Sequence, residues 1–397
     1  MSNAYLCRSL AIARRPGECS MKPLNLVFWS TPIGHLGSGS GGGVELTLVN
    51  VAQALMQRGH RITVVAAPGS AAGVQTMLNP DRVAQASQRG GALTVLEVAG
   101  TPPISAQHQG RETPVVIPSQ SLLVAMGETV REMESQFDLI LNFAYDWLPL
   151  YLTPFLHTPM LHLISMGSLS DVMDEAIDRV LHSHPRAIGV HTQAQAATFR
   201  RIPDLGDRCF VLSNGLDLSR YYFNAMPQEH LGWIGRLTPE KGLEDALAAV
   251  AQSQIPLKIW GSLENEQYWQ GLQAQYPQAP VSYGGFLPTA QLQQQLGQCR
   301  GLLMTPRWVE AFGNVVIEAL ACGVPIVAYE RGGPAEIVRS GQTGWLVEPD
   351  SVSGLVAAIG RLGEIDRHSC RTQAETEFSL EALADRYETW FQQVLTA

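Results

Sequence analysis

Apolar residues along the chain fall into short continuous runs separated by longer stretches of helical period. The run 24–29 reads as a buried strand, broken by Thr31 and Pro32; a long Gly/Ser turn follows. Leu46, Val49, Leu55 and Met56 then recur at helical spacing until Gly59 stops the helix, and a second run, 62–66, begins at once. Strand, helix and strand in that order are most simply joined with the strands parallel. Further runs at 139–141, 160–164, 188–190 and 210–212 continue the alternation, as in a doubly wound α/β unit.

The pattern breaks around 221–229 and restarts. Strands are expected at 231–234, 257–260, near Val281, at 302–304 and at 326–328, with helices from Leu243 and from Val315. The second half therefore repeats the first, and the boundary falls near Pro227. The tail 380–395 reads as one amphipathic helix whose Leu383, Tyr387, Trp390, Phe391 and Val394 form a packing stripe. Between Thr101 and Ser119 the composition turns to Pro, Gly, Gln and Ser without period, which suits either a functional loop or a tolerated insertion.

A length of 397 residues fits two domains. The apolar fraction of 45% and charged fraction of 16% are those of a packed globular protein. A net charge of -9 without a basic run argues against a nucleic-acid or anionic-lipid binder. Six scattered cysteines, with no close pair at metal or redox spacing, point to a reducing compartment, and a cytoplasmic location is expected. No apolar run reaches the roughly 18 to 20 residues that span a bilayer. Residues 1–20 carry Arg8, Arg14 and Arg15 around a short apolar stretch, and are expected to be a leader or start-codon extension outside the fold.

Three segments carry candidate chemistry. The Gly/Ser turn 34–43 lies between the first strand and first helix, where backbone N–H groups and the helix dipole suit an anion. No acidic residue closes the second strand, where Ala66, Ala67 and Pro68 follow Val65, so a dinucleotide-dependent dehydrogenase is disfavoured. In the second half Arg236 and Lys241 stand just beyond a strand end, placed to neutralise a diphosphate leaving group. Alone, such a pair reads as solvated surface charge. Third, Glu310 and Glu318 bracket Phe312, Gly313, Asn314 and Val315 at the expected start of an apolar helix, so both carboxylates can face a ligand docked on its N-terminus.

Taken together, Gly42-Gly43-Val44-Glu45, Asn214-Gly215-Leu216-Asp217, Gly235-Arg236-Leu237, Glu240-Lys241-Gly242 and the Glu310 to Glu318 motif closely resemble glycosyltransferase family four, over residues 24 to 362. The resemblance implies a GT-B fold: two Rossmann-like domains facing across a cleft, with the C-terminal helix returning toward the first. It implies an acceptor domain at 21–226, a nucleotide-sugar domain at 227–380 and a terminal helix at 381–397. It further implies retention of anomeric configuration, no metal and no cofactor beyond the nucleotide-sugar co-substrate.

By resemblance, Arg236 and Lys241 bind the donor diphosphate, Glu310 touches the sugar and Glu318 holds the ribose hydroxyls. Phe312, Gly313, Asn314 and Val315 complete the donor site, and Gly42 and Gly43 close over it. Many family members carry a histidine where this chain has Ser165; His162, three positions earlier, reads as a core residue of an apolar strand. The runs 30–48 and 164–169 are similar to bacterial UDP-glucose:tetrahydrobiopterin glucosyltransferases. That narrower similarity implies UDP-glucose as donor and a reduced pterin as acceptor, with Glu45, Asp146, Trp147, His162, Ser165 and the 101–119 loop as candidates for the acceptor wall. A lipid or saccharide acceptor, a nucleotide-sugar epimerase and a non-catalytic nucleotide-sugar binder remain alternatives.

Overall fold

The computed structural model describes residues 21–105 and 109–396. The expected leader, Cys7 and Cys19, the centre of the 101–119 loop and the last residue of the expected terminal helix lie outside them. The first sheet contains β1 (Asn25–Trp29), β2 (Arg61–Ala66), β3 (Ala92–Glu97), β4 (Leu139–Asn142), β5 (Met160–Ile164), β6 (Ile188–Val190) and β7 (Phe210–Val211), in the order β3-β2-β1-β4-β5-β6-β7. The second contains β8 (Leu231–Ile234), β9 (Leu257–Trp260), β10 (Val281–Tyr283), β11 (Gly301–Met304), β12 (Ile326–Tyr329) and β13 (Gly344–Val347), in the order β10-β9-β8-β11-β12-β13.

Every strand pair is parallel. Helices cover the sheets because strands such as Leu26 to Trp29 and Ile326 to Tyr329 are buried on both faces, with no solvent side left for polar residues. This is the GT-B architecture, two Rossmann-like domains. The run patterns reach the central strands but not β3 and β13, edge strands with partly exposed positions and a weaker apolar signal.

Each sheet reverses its strand order once, between β1 and β4 and between β8 and β11. At such a point the two flanking connections leave in opposite directions and open a crevice beyond the carboxyl ends of the strands. The glycine-rich turn leaves β1, residues 143–147 leave β4, Arg236 and Lys241 follow β8, and Glu310 follows β11. The motif residues therefore sit where this topology makes a ligand crevice.

The chain crosses between domains twice, side by side: Leu216 donates its N–H to the Phe378 carbonyl at 2.7 Å. The division expected near Pro227 lies after the point where packing changes hands, because Leu216 and Tyr221 are already buried in the core of the second domain. Helix Leu380–Leu395 returns to the first domain and buries Tyr387, Trp390 and Phe391 there, as its aromatic stripe suggests. From this helix Arg386 reaches into both crossings, donating to the carbonyls of Leu212 (2.5 Å), Asn214 (3.0 Å) and Glu377 (2.9 Å). Asp217, also buried, accepts from Arg82 at 3.0 Å and Gln53 at 3.2 Å of the first domain.

Candidate active site

The loop after β8 is locked to the loop after β11. Gly242 takes φ +64°, and a Cβ there would stand 2.0 Å from the Thr305 carbonyl oxygen, so only glycine lets the two backbones meet. Thr305 Oγ1 donates to the Gly242 carbonyl at 2.8 Å, and the Arg307 N–H to the Glu240 carbonyl at 2.9 Å. This seam sets Lys241 Nζ 2.5 Å from Glu310 Oε2. Trp308 supports both: its Nε1–H donates to Glu310 at 3.0 Å and its ring lies 4.7 Å beneath the ammonium. Arg236, on the same β8 loop, meets Glu240 at 3.1 Å and Glu264 at 3.4 Å with its side chain partly exposed.

Helix Asn314–Ala321 begins at Gly313, with Glu318 one turn on from Asn314, on the same face. Behind Glu310 and Phe312 the backbone is held by Gly332 and Gly333: a Cβ on Gly332 would lie 2.6 Å from Glu310 N, and one on Gly333 2.3 Å from the Phe312 carbonyl oxygen. Glu318 is nearly buried and accepts from the Tyr221 hydroxyl at 3.4 Å. Loss of solvation pushes its carboxyl up to about 7, against the opposing pull of that hydrogen bond.

Four first-domain contacts land on this same segment. Asn214 Nδ2 donates to Asn314 Oδ1 at 2.7 Å, and Asn314 Nδ2 lies where a side chain on Gly43 would begin. Thr192 Oγ1 donates to the Ala311 carbonyl at 2.8 Å, and the His191 ring packs on Phe312 with centroids 5.8 Å apart. Burial lowers the His191 pKa to about 4, so it is neutral. The Glu336 carboxylate receives the N–H groups of Gln193 (3.1 Å) and Ala194 (2.5 Å). No local pattern marks Thr192, His191 or Glu336 as partners, since each acts through a residue over a hundred positions away.

The glycine-rich turn corrects one expectation. Its N–H groups already hold an anion, the carboxylate of Glu45: Gly37 (2.7 Å), Gly39 (3.1 Å) and Gly41 (2.6 Å) donate to it, as does the Ser38 hydroxyl at 3.2 Å. Glu45 is buried and shapes the loop from within, so it is no acceptor contact, and those three amides are not available to a phosphate. The Gly42 N–H is likewise used, by the Gly39 carbonyl. A glutamate in the first turn of a helix beneath a glycine run is the signal that could have revealed this.

His162 is likewise a core group and not an acceptor contact. Its ring bonds Asn142 at 3.1 Å and Thr153 at 2.8 Å, and burial lowers its pKa to about 3. The Asp146 carboxylate turns back onto the Leu148 N–H at 3.4 Å as a helix cap, with its pKa raised by burial. Trp147 and Ser165 are half-buried at the carboxyl edge of the first sheet, and Trp147 stacks on Tyr151 with centroids 4.5 Å apart. Cys209, Cys299, Cys322 and Cys370 are unpaired thiols, each pushed up to about 12 by burial.

Residues 224–377, which include Arg236, Lys241, Glu310, Glu318 and Glu336, match the family described as glycosyl transferases group 1. The matched residues lie in the second domain. Among curated relatives, a glycogen synthase of Mycobacterium tuberculosis is 30% identical over 243 residues, which is 54% of this chain and 58% of that protein. The chain thus matches little more than half of that relative's length. A sucrose synthase of Solanum tuberosum is 32% identical over 103 residues, 25% of this chain and 12% of its own.

Solved structures agree in fold across nearly the whole molecule. Sucrose-phosphate synthase from Thermosynechococcus elongatus has a TM-score of 0.71 at 19% identity, covering 94% of this chain and 99% of that one. Anabaena HepE in complex with UDP and glucose has a TM-score of 0.67 at 19% identity, covering 93% and 100%. No described helix is long and apolar enough to cross a membrane.

Proposed function

We propose that this chain is a retaining glycosyltransferase that takes a sugar from a nucleotide diphosphate held on the second domain and passes it to a small acceptor held on the first. The observation that carries the reading is the Lys241–Glu310 pair at the β8/β11 crevice, beside the N-terminus of helix Asn314–Ala321. A diphosphate entering there exchanges Glu310 for its own oxygens on Lys241 and gains Arg236 and the helix start. Glu310, released toward the sugar, is free to accept its hydroxyls, and Glu318 lies one turn deeper for the ribose.

As the bond from the anomeric carbon to the phosphate oxygen breaks, negative charge grows on the leaving diphosphate, where Arg236 and Lys241 stabilise it. The acceptor hydroxyl attacks from the same face and gives its proton to the departing phosphate oxygen, which retains configuration without an enzymic nucleophile. The co-substrate is a nucleotide sugar and no further cofactor takes part.

UDP-glucose is our choice of donor, supported by the complexes of HepE with UDP and glucose. A reduced pterin is our choice of acceptor, supported by the similarity of the runs 30–48 and 164–169 to pterin glucosyltransferases and by the Trp147–Tyr151 stack, which follows β4. Such chemistry suits a cytoplasmic enzyme. Incubating the protein with labelled UDP-glucose and reduced pterins, then analysing products, tests the reading. A glucosylated pterin of retained configuration supports it; release of a free or epimerised nucleotide sugar overturns it.

A further inference from the structure

Tyr221, in the first crossing, reaches the nucleotide half of the cleft with its side chain. Its ring is buried and its hydroxyl donates to Glu318 Oε1 at 3.4 Å, the only hydrogen bond to that carboxylate among the described residues. Arg371 fixes the relationship: one guanidinium nitrogen donates to the Tyr221 carbonyl at 2.9 Å and to the Ala321 carbonyl at 2.7 Å, on the helix that carries Glu318. Tyrosine and carboxylate are thus held by one common support.

We propose that Tyr221 is a positioning residue for nucleotide recognition, whose hydroxyl orients Glu318 to receive the two ribose hydroxyls. This rests on the reading of Glu318 as the ribose clamp. A carboxylate that loses its only donor in a buried site has two ways to respond: it rotates, or it takes up a proton and offers one acceptor fewer. Either response weakens the clamp.

The other charged or titratable groups on the elements packed round Glu318 are engaged elsewhere. Cys322, on its own helix, is a neutral thiol. Arg367 donates to the carbonyls of Asn224, Gly297 and Cys299. Arg371 is held as described, Arg220 donates to the Met77 carbonyl, and Glu336 receives the amides of Gln193 and Ala194. Burial favours the protonated carboxyl, and the tyrosine hydroxyl is the hydrogen-bonding group that opposes it.

The test titrates UDP into the full chain, wild type, Tyr221→Phe, Glu318→Gln and the double variant, from about pH 6 to about pH 9, where a carboxyl near neutrality changes state. Glu318→Gln corrects for the titration of UDP itself. We expect Tyr221→Phe to weaken UDP binding about tenfold at neutral pH and to recover toward wild type at the alkaline end, its midpoint raised by about one unit. The double variant should bind like Glu318→Gln. A Tyr221→Phe profile matching wild type, or a double variant that binds UDP more weakly than Glu318→Gln, overturns the proposal and leaves the ribose clamp standing. Wild-type affinity in Glu318→Gln removes the clamp itself, and the proposal with it.

Discussion

Lys241 Nζ rests 2.5 Å from Glu310 Oε2, with Trp308 donating to the same oxygen at 3.0 Å, so the cation is held by a carboxylate before any diphosphate arrives. The two charges neutralise each other, and the ammonium stands where leaving-group charge would appear. Removing it by Lys241→Ala should lower kcat by about a hundredfold, a loss of roughly 3 kcal/mol for a group acting in a water-poor site. Arg236→Ala should act in the same direction. Steady-state turnover together with an unchanged melting curve checks this, and near-native turnover in both variants would rule out their role at the diphosphate.

On the proposed reading Arg236, Lys241 and a helix N-terminus supply the positive charge, so transfer should continue in excess EDTA at the untreated rate. An activity lost to the chelator and restored by a divalent ion would show that a metal carries part of that charge.

Glu45 should behave as a structural anchor. Glu45→Gln keeps the shape but gives up the charge-assisted bonds from Gly37, Gly39, Gly41 and Ser38, each worth roughly 1.5–3 kcal/mol before the loop relaxes. The net loss should be about 2 kcal/mol in unfolding free energy, with faster proteolysis within 34–43. Denaturant unfolding and limited digestion read both.

Domain closure should separate from donor binding. Thr192→Val and Glu336→Gln remove contacts that join residues 192–194 of the first domain to Ala311 and Glu336 of the second, neither of them a residue assigned to the nucleotide. UDP affinity should stay within about twofold of wild type while kcat falls about tenfold. Equal losses in both quantities would mean that these residues shape the donor site itself.

Glu318 should make the protein less stable as pH rises. Its carboxyl is raised from 4.5 to about 7, so between those values the folded chain holds a proton that the unfolded chain releases, and stability falls with increasing pH across that window. Glu318→Gln should be the more stable protein at pH about 8, by up to about 3 kcal/mol, with the difference vanishing below pH about 4.5. Denaturant curves at the two pH values check the sign.

Much of this was legible in the chain. Runs such as 26–29 and 326–328 are apolar on both strand faces, which only a sheet covered on both sides explains, and the glycines flanking Lys241 and Glu310 mark the connections at the carboxyl ends. Long-range pairings were not legible. The turn 34–43 read as an open anion site and Glu45 as an acceptor contact, because a carboxylate folded under its own glycine loop has the same spacing as one facing a ligand. His162 read as a core residue from its apolar strand, but its partners Asn142 and Thr153 were not legible, since only the fold brings them beside it. The domain division was set too late because Tyr221, in a stretch without periodicity, buries its ring in the second domain.

Arg386 gives the molecule a hinge pin. Both covalent links between the halves run through the reach of one guanidinium, whose burial lowers its pKa only to about 10, leaving it charged at neutral pH. Sliding of one half over the other would tear carbonyls from that cation, whereas rotation about it leaves all three in place. The halves should therefore swing through an arc centred on Arg386, moving the cleft's far rim much and its root little. The amides of Leu216 and its neighbours at that root should exchange with solvent as slowly as those of a central strand, although they lie in connecting segments.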